Sequence, residues 1–448
     1  MDFSPLTTTA YLGGEDLAEC FAPPAMLAHM LQFEATLASA QAALGLIPRD
    51  AAALIAQCAQ NTPFDLANIA AQSVEASNPA IPLVNLLTLA VEGKDAKAAR
   101  YVHWGSTSQD VMDSALMMAA RVASARLNAH LDALIALLCP LAERHRTTLM
   151  PARTLSQHAG PTTFGLKVAG WLMGLVGARA RMLSLQAILP VQCGGATGTL
   201  ASFGTQGLEL ALGLAAGLGL SNAEPWQTER SVVRELASGV ANVAAAVGKI
   251  AHDIVLMAQT EVAELREATS PGRGGSSALP HKQNPVGAIA AGAAARRAPG
   301  ALATVFAAFD QSHERASGAW HAESCALVDL FVYAGGALAG LRRSLTSIEV
   351  DTQAMRRNFD LTLGLLMSEA VSRALTPALG RTGAQALVAQ ASAVVRAEGR
   401  TLAAVLGESA SVREHLGAQG LAQALDPYAQ LGSADRLISG ALARAIAG

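Results

Sequence analysis

The sequence predicts an all-α protein: three helical domains, the middle one a bundle of long helices. Three observations carry that expectation. The chain is rich in Ala and Leu, both strong helix formers, while aromatic residues make up only 4% of it and the side chains that favour strands are comparatively scarce. Its 448 residues are too many for one small core. Apolar residues also recur at helical spacing over long runs. The clearest run is Leu236, Val240, Val243, Val247, Ile250, Ile254 and Met257, an a/d seam sustained over three heptads.

Taken in order, residues 1–100 alternate short helical patterns with punctuation at Ala22-Pro23-Pro24, Ile47-Pro48 and Asn78-Pro79, which reads as a small N-terminal helical domain. Asn78-Pro79-Ala80-Ile81-Pro82 carries too much Pro for a helix interior. Residues 101–350 form the bundle. Long apolar helices are expected over 111–138, stopped by Pro140, over 166–188, stopped by Pro190, along the seam at 236–257, and over 286–308 and 322–348. Residues 351–448 break into shorter helices with Gly stops, a C-terminal helical domain. Long helices flanked by Ala and Gly would leave apolar surface uncovered in a monomer, so a symmetric homo-oligomer is expected.

Composition excludes several functions. A net charge of −3, a pI near 6.4 and the absence of a basic block give no footprint for nucleic acid or an anionic membrane surface. Met1-Asp2-Phe3-Ser4-Pro5 lacks the pattern of a secretion signal. The longest uncharged stretch, Met182 to Leu208, is interrupted by Gly, Gln, Ser and Thr and is not expected to span a bilayer. A cytoplasmic protein is the expectation. The five cysteines are widely spaced, with no CxxC pair or Cys/His cluster, so reduced thiols and no metal site are expected.

Against this apolar background three polar islands stand out. The first, His103-Trp104-Gly105-Ser106-Thr107-Ser108-Gln109-Asp110, leads into a long helix. Ser and Thr at the start with Asp110 in the first turn satisfy a helix N-terminus. Three hydroxyls and a His exceed that need and suit a carboxylate ligand. The second is Arg153-Thr154-Leu155-Ser156-Gln157-His158, read as a polar interhelical turn or part of a site. The third is Ser270-Pro271-Gly272-Arg273-Gly274-Gly275-Ser276-Ser277-Ala278-Leu279-Pro280-His281-Lys282-Gln283-Asn284-Pro285, a Gly-rich loop that lacks P-loop spacing, with Asn284 and Pro285 placed as N-cap and N1 of the next helix. A flexible linker is the plain alternative, but linkers rarely crowd Ser, Lys and Asn before a buried helix.

The stretch from Gly275 to Pro285 resembles the GSSxMPxKxNP signature of the fumarase/aspartase superfamily, with Leu279 in the Met slot. The segment from Val102 to Val111 is similar to that superfamily's HxGxTSxD region, and order and separation fit over essentially the whole chain. The resemblance implies a three-domain all-α fold and a homotetramer with active sites shared between subunits. Its substrate would be a small polycarboxylate, from which such enzymes take an α-proton through an aci-carboxylate. The reaction so implied is redox-neutral, and no organic cofactor is expected. It implies Ser276 as the proton-transfer residue, Ser277 as an oxyanion donor, Lys282 as the neutralising cation and Asn284 as a hydrogen-bonding partner. His103, Ser106, Thr107, Ser108, Thr154 and Gln157 would line the substrate site.

The second island decides the branch. Amine-expelling members carry T-H-G-Q there, the His protonating the leaving group. Here the order is Thr154-Leu155-Ser156-Gln157, and Leu155 cannot donate a proton. A carboxylate leaving group, of pKa about 4, needs none. This resembles the branch that lactonises carboxymuconate, a tricarboxylate diene of aromatic catabolism, as do Ser77–Val84, Gln311–Arg315 and Leu431–Ala434. Arg315 is then the second candidate cation, with Arg153 and Arg230 behind it. His158 is assigned a supporting role, while Glu229 and Ser231 depart from the superfamily pattern. The rivals are a fumarate-releasing lyase such as adenylosuccinate lyase, and a helical scaffold without activity.

Overall fold

A computed structural model describes residues 13–268, 274–275 and 278–447. The chain divides into two compact units, each assembled from separated stretches. Unit 1 comprises residues 1–132, 178–248 and 290–339, and unit 2 comprises 133–177, 249–289 and 340–448.

In unit 1, helices α1 (Pro23–Ala43), α2 (Arg49–Asn61), α3 (Leu66–Ala76) and α4 (Ala80–Glu92) precede α5 (Ser108–Arg144), whose residues up to 132 belong to this unit. Ala38, Ile55, Cys58, Leu87 and Val91 close a core among α1, α2 and α4. Pro82 lies in the first turn of α4, contrary to the expectation that this Pro-rich stretch stays outside a helix. A residue there has no intrahelical partner for its N–H, so Pro forfeits nothing.

The remaining long helices are α6 (Phe164–Ala187), α8 (Ser231–Met257) and α11 (Ala319–Leu345), with α7 (Gly207–Leu218) between the first two. All seven seam residues of α8 are buried, none more than 4% exposed. A Cβ added at Gly239 of α8 would lie 2.4 Å from Leu185 of α6, so the small residue lets these helices approach closely. Pro140 does not stop α5, which runs four residues beyond it. The expected helix over 286–308 is two, α9 (Val286–Ala295) and α10 (Ala298–Ala307), broken at Arg296-Arg297 with Pro299 restarting the helix.

Unit 2 holds the strands that a helical composition concealed. β1 (Leu149–Thr154) and β2 (Gln157–Thr163) form an antiparallel hairpin; β3 (Leu265–Glu267) pairs antiparallel with β4 (Ile348–Val350). Helices α12 (Thr352–Asp360), α13 (Ser368–Glu398), α14 (Leu402–Gly407), α15 (Ala410–His415), α16 (Gly417–Ala424) and α17 (Ala434–Ala447) complete it. Val371, Leu375, Val388, Leu402 and Leu406 form the core of α13 and α14.

By length and composition alone α5, α8 and α11 could each cross a membrane, although the longest uncharged stretch of the chain lies in none of them. Each carries buried charge or charge pairs of its own: Asp110 and Asp113 in α5, Lys249 with Asp253 in α8, Glu323 in α11.

Candidate active site

The first polar island builds a dense network in unit 1. Thr107 is the N-cap of α5, its carbonyl accepting from the Asp110 and Val111 N–H groups. Asp110 reaches back to the Thr107 N–H at 3.2 Å and the Ser106 hydroxyl at 3.2 Å, a capping box with Asp in place of Glu. The same carboxylate accepts from the Gly194 and Gly195 N–H groups, both at 3.0 Å. It thereby fastens a Gly-rich loop, residues 190–200, against the start of α5. Burial raises the Asp110 pKa to about 6, although these donors pull the other way.

Gly195 has φ +68°, and its carbonyl accepts from Gln227 Nε2 at 2.6 Å. At Gly194 a Cβ would stand 2.9 Å from Gln227 Oε1 and 3.0 Å from Pro225 Cβ, so a larger residue would have to displace Gln227. Gln109 joins the parts: its Nε2 donates to the Gln227 carbonyl at 2.8 Å and to Asp113 at 3.1 Å. Its Oε1 accepts from Arg315 Nε at 3.3 Å, and Arg315 Nη2 donates to Thr107 Oγ1 at 2.7 Å. Arg315 is thus aimed by two neutral acceptors and makes no ion pair among the described residues, so its charge stays available to an anion.

Arg230 is otherwise. Only 1% of its side chain is exposed. It donates to both oxygens of Asp113 at 2.6 and 2.9 Å, donates through Nε to Glu323 at 2.7 Å, and lies over the Trp226 ring. Trp320 Nε1 adds a bond to Asp113 at 2.9 Å. Arg230 is therefore not a reserve substrate cation, contrary to the expectation from sequence: the guanidinium is consumed by two buried carboxylates. Glu229 does not meet it either. That carboxylate caps α8 by accepting from the Ser231 N–H and hydroxyl, and pairs with Arg234 at 3.5 Å.

His103 stands at φ +56°, unusual for a residue with a Cβ. Its Nδ1 lies 2.6 Å from the buried Glu34 carboxylate of α1. Burial works against protonation of His103, but Glu34 and then Asp110 outweigh it, and the pKa is raised. Ser108 opens α5 with a hydroxyl that makes no hydrogen bond among the described residues.

In unit 2 the second island is a hairpin rather than an interhelical turn. Thr154 and Gln157 close it as register partners, and Leu155 and Ser156 form its tip at φ +49° and +64°. Two consecutive positive φ values give the tight turn whose twist matches the flanking strands. Leu155 is 98% exposed. Arg153 gives both its terminal nitrogens to Glu264, at 3.0 and 2.7 Å, and Asn358 donates to the same carboxylate, so Arg153 anchors the hairpin rather than serving as a second free cation. His158 is half-buried, with a pKa lowered first by burial and then by Arg153.

Of the third island, Ser276 and Ser277 lie outside the described residues. Lys282 is exposed and makes no ion pair among the described residues. The Asn284 backbone N–H and Nδ2 both donate to the Gly274 carbonyl, at 2.8 and 3.3 Å, which ties the loop base together. α9 begins at Val286, as its apolar run predicts, with Pro285 just ahead of the first turn rather than at N1. Its cap comes from elsewhere: Glu267 accepts from the Gly287 and Ala288 N–H groups at 3.0 and 2.9 Å.

Within unit 1, then, His103, Ser106, Thr107 and Arg315 come together. Thr154 with Gln157, and Lys282 with Asn284, sit in two segments of unit 2. Sequence reasoning missed Glu34, Gln227 and the Gly194-Gly195 turn. The glycines were visible but were weighed only against a membrane span; nothing in the sequence marked Glu34.

The chain is similar to known proteins over most of its length. Residues 16–300 match the family model described as Lyase, and residues 364–441 the one described as Adenylosuccinate lyase C-terminus. A 3-carboxy-cis,cis-muconate cycloisomerase of Bradyrhizobium diazoefficiens is 45% identical over 92% of this chain and 92% of its own. A nitrosuccinate lyase of Streptomyces davaonensis is 43% identical over 93% of this chain and 90% of its own. The crystal structure of 3-carboxy-cis,cis-muconate lactonizing enzyme from Pseudomonas putida superposes with a TM-score of 0.88 at 39% identity, covering 98% of both chains. On the family model, the relatives and the fold together, this chain belongs to the fumarase/aspartase superfamily of lyases and is an enzyme of the lyase or isomerase type.

Proposed function

We propose that the enzyme lactonises 3-carboxy-cis,cis-muconate in the catabolism of protocatechuate. The observation that carries this reading is the set of bacterial cycloisomerases of that name at 42–45% identity, each aligned over at least 92% of this chain. One substrate carboxylate oxygen attacks the conjugated double bond and forms the ring C–O bond. The electron pair moves onto the conjugated carboxylate as an aci-carboxylate, and a proton delivered to the α-carbon completes the isomer. No electrons are gained or lost. In reverse, the leaving group is a carboxylate, so a leucine at the hairpin tip, where amine-expelling relatives keep histidine, withholds nothing the reaction needs.

The two charges of the aci-carboxylate call for cations and donors set in place beforehand. Arg315, aimed by Thr107 and Gln109, and Lys282 supply the charge in this reading. Ser106, Thr107 and Ser108 at the N-terminus of α5, with His103, Thr154, Gln157, Ser277 and Asn284, hold the remaining carboxylate oxygens. Ser276 transfers the proton. Ser276→Ala is expected to abolish turnover and leave the oligomer intact; near-normal turnover would remove Ser276 from that role. We place the enzyme in the cytoplasm as a homotetramer with sites shared between subunits. Exposed apolar side chains such as Leu208, Leu212, Phe306 and Phe309 support an assembly.

The 43% identity to a nitrosuccinate lyase favours one second reading, since nitrite also departs as a weak base without an acid at position 155. Parallel assays separate the possibilities: loss of diene absorbance from carboxymuconate, nitrite from nitrosuccinate, fumarate from a succinyl nucleotide. Loss of diene alone is expected. Nitrite or fumarate release without diene loss would replace the proposal.

A further inference from the structure

The Glu34 carboxylate is buried on α1, yet its hydrogen bonding is poor. Oε1 meets His103 Nδ1 at 2.6 Å, while Oε2 is buried with no partner among the described residues. Asp110 and Asp113, buried in the same unit, are better supplied, since both oxygens of each accept hydrogen bonds, while Glu323 accepts from Arg230 through Oε1. A carboxylate kept only for the fold would be expected to satisfy both oxygens, because a buried charge with a vacant acceptor costs stability. His103 matches this economy. It is held at positive φ, and its Nε2 makes no hydrogen bond among the described residues, while 18% of the side chain remains exposed. It also sits four residues ahead of Thr107, in the loop whose end positions Arg315.

We propose that Glu34 is a positioning residue for this reaction: by accepting the Nδ1 proton of His103 it orients the ring and commits Nε2–H as a charged donor to a substrate carboxylate. The proposal rests on the reading of the site as one for a polycarboxylate. The electrostatics agree with the geometry. The groups facing His103 are Glu34 from α1 and, with a smaller effect, Asp110 from α5, which is negative only above about pH 6; they hold the imidazole pKa above its ordinary 6.5 despite burial. Its contribution to anion binding is full below that ordinary value and fades as pH rises through the raised one. Replacing Glu34 with neutral Gln leaves burial as the dominant influence, so protonation moves down and the contribution fades at lower pH.

Two measurements on the full-length enzyme test this. Histidine-labelled protein, with the His103 signal assigned through a His103→Gln variant, gives the imidazole titration without any substrate. Steady-state kinetics on carboxymuconate across pH give KM and kcat separately. In Glu34→Gln the His103 midpoint is expected to fall below the wild-type value. KM is expected to rise by about ten- to a hundred-fold near neutral pH, the scale of one charge-assisted hydrogen bond, with kcat much less affected. The alkaline limb of kcat/KM moves to lower pH, and Glu34→Asp recovers part of each effect. An unchanged His103 midpoint in both Glu34 variants, in protein with wild-type circular dichroism, overturns the proposal. A shifted midpoint with unchanged KM overturns it too, leaving Glu34 a structural partner only. If the wild-type enzyme does not consume carboxymuconate, the functional reading fails by itself. The titration then still decides whether Glu34 controls His103, with binding of the stable tricarboxylate tricarballylate to wild type and variant in place of KM.

Discussion

Arg315 and Arg230 show what a residue's number in the sequence conceals. Both could be enlisted as substrate cations from the sequence, and only their neighbours separate them. Arg230 is closed in by Asp113, Glu323 and Trp226, whereas Arg315 is held by the uncharged oxygens of Thr107 and Gln109. Arg315→Gln is therefore expected to raise KM for a polycarboxylate by roughly tenfold or more and to leave the thermal midpoint nearly unchanged. Arg230→Met strands two buried carboxylates and is expected to cost about 3–5 kcal/mol of stability, measured by denaturant unfolding. Asp110 adds a pH signature. Its pKa is 3.8 ordinarily and about 6 in the fold, so between those values the folded chain holds a proton the unfolded chain has lost. Its contribution to stability falls as pH rises through that window. The pH dependence of the unfolding midpoint in wild type minus that in Asp110→Asn is expected to show this slope, and no difference would contradict it.

At the scale of elements, the sequence was most legible where one period ran long. The α8 seam is buried along its length because a pattern sustained over three heptads has few alternative interpretations. The capped start of α5 was readable for the same reason, since Thr107 and Asp110 stand at the spacing a helix N-terminus demands. The hairpin was not readable. Arg-Thr-Leu-Ser-Gln-His carries neither a β-branched run nor the Asn-Gly pair of a tight turn, and its strands are held by Glu264, about a hundred residues away. Leu155 at φ +49° is a poor residue for that turn. Leu155→Asn is expected to stabilise unit 2 by a fraction of the roughly 1–2 kcal/mol that the left-handed region costs an ordinary side chain. An unfolding transition lower than wild type would show that Leu155 is covered and needed. The break between α9 and α10 falls at Arg296-Arg297 ahead of Pro299, a signal present in the sequence but outweighed by the apolar runs on either side. The cap of α9 was hidden because it comes from Glu267, which precedes the signature loop.

For the molecule as a whole, composition predicted a helical protein, and two small sheets do not alter that class. Composition could not reveal how the stretches of chain are shared between the two units, because that depends on which helices meet and not on how many there are. The charges tell a similar story. A chain only 15% charged places several of them in buried clusters, and one of those clusters surrounds the first polar island. The signature motifs pointed to the superfamily, but the choice of reaction within it turns on what is missing at Leu155 and on what fixes Arg315 and His103. That choice has a chemical readout. Incubation with 3-carboxy-cis,cis-muconate in deuterium oxide, followed by proton NMR, is expected to show one lactone product carrying a single deuterium on the carbon α to a carboxylate, with no fumarate. Unchanged substrate, or a product without that deuterium, would contradict lactonisation through an aci-carboxylate.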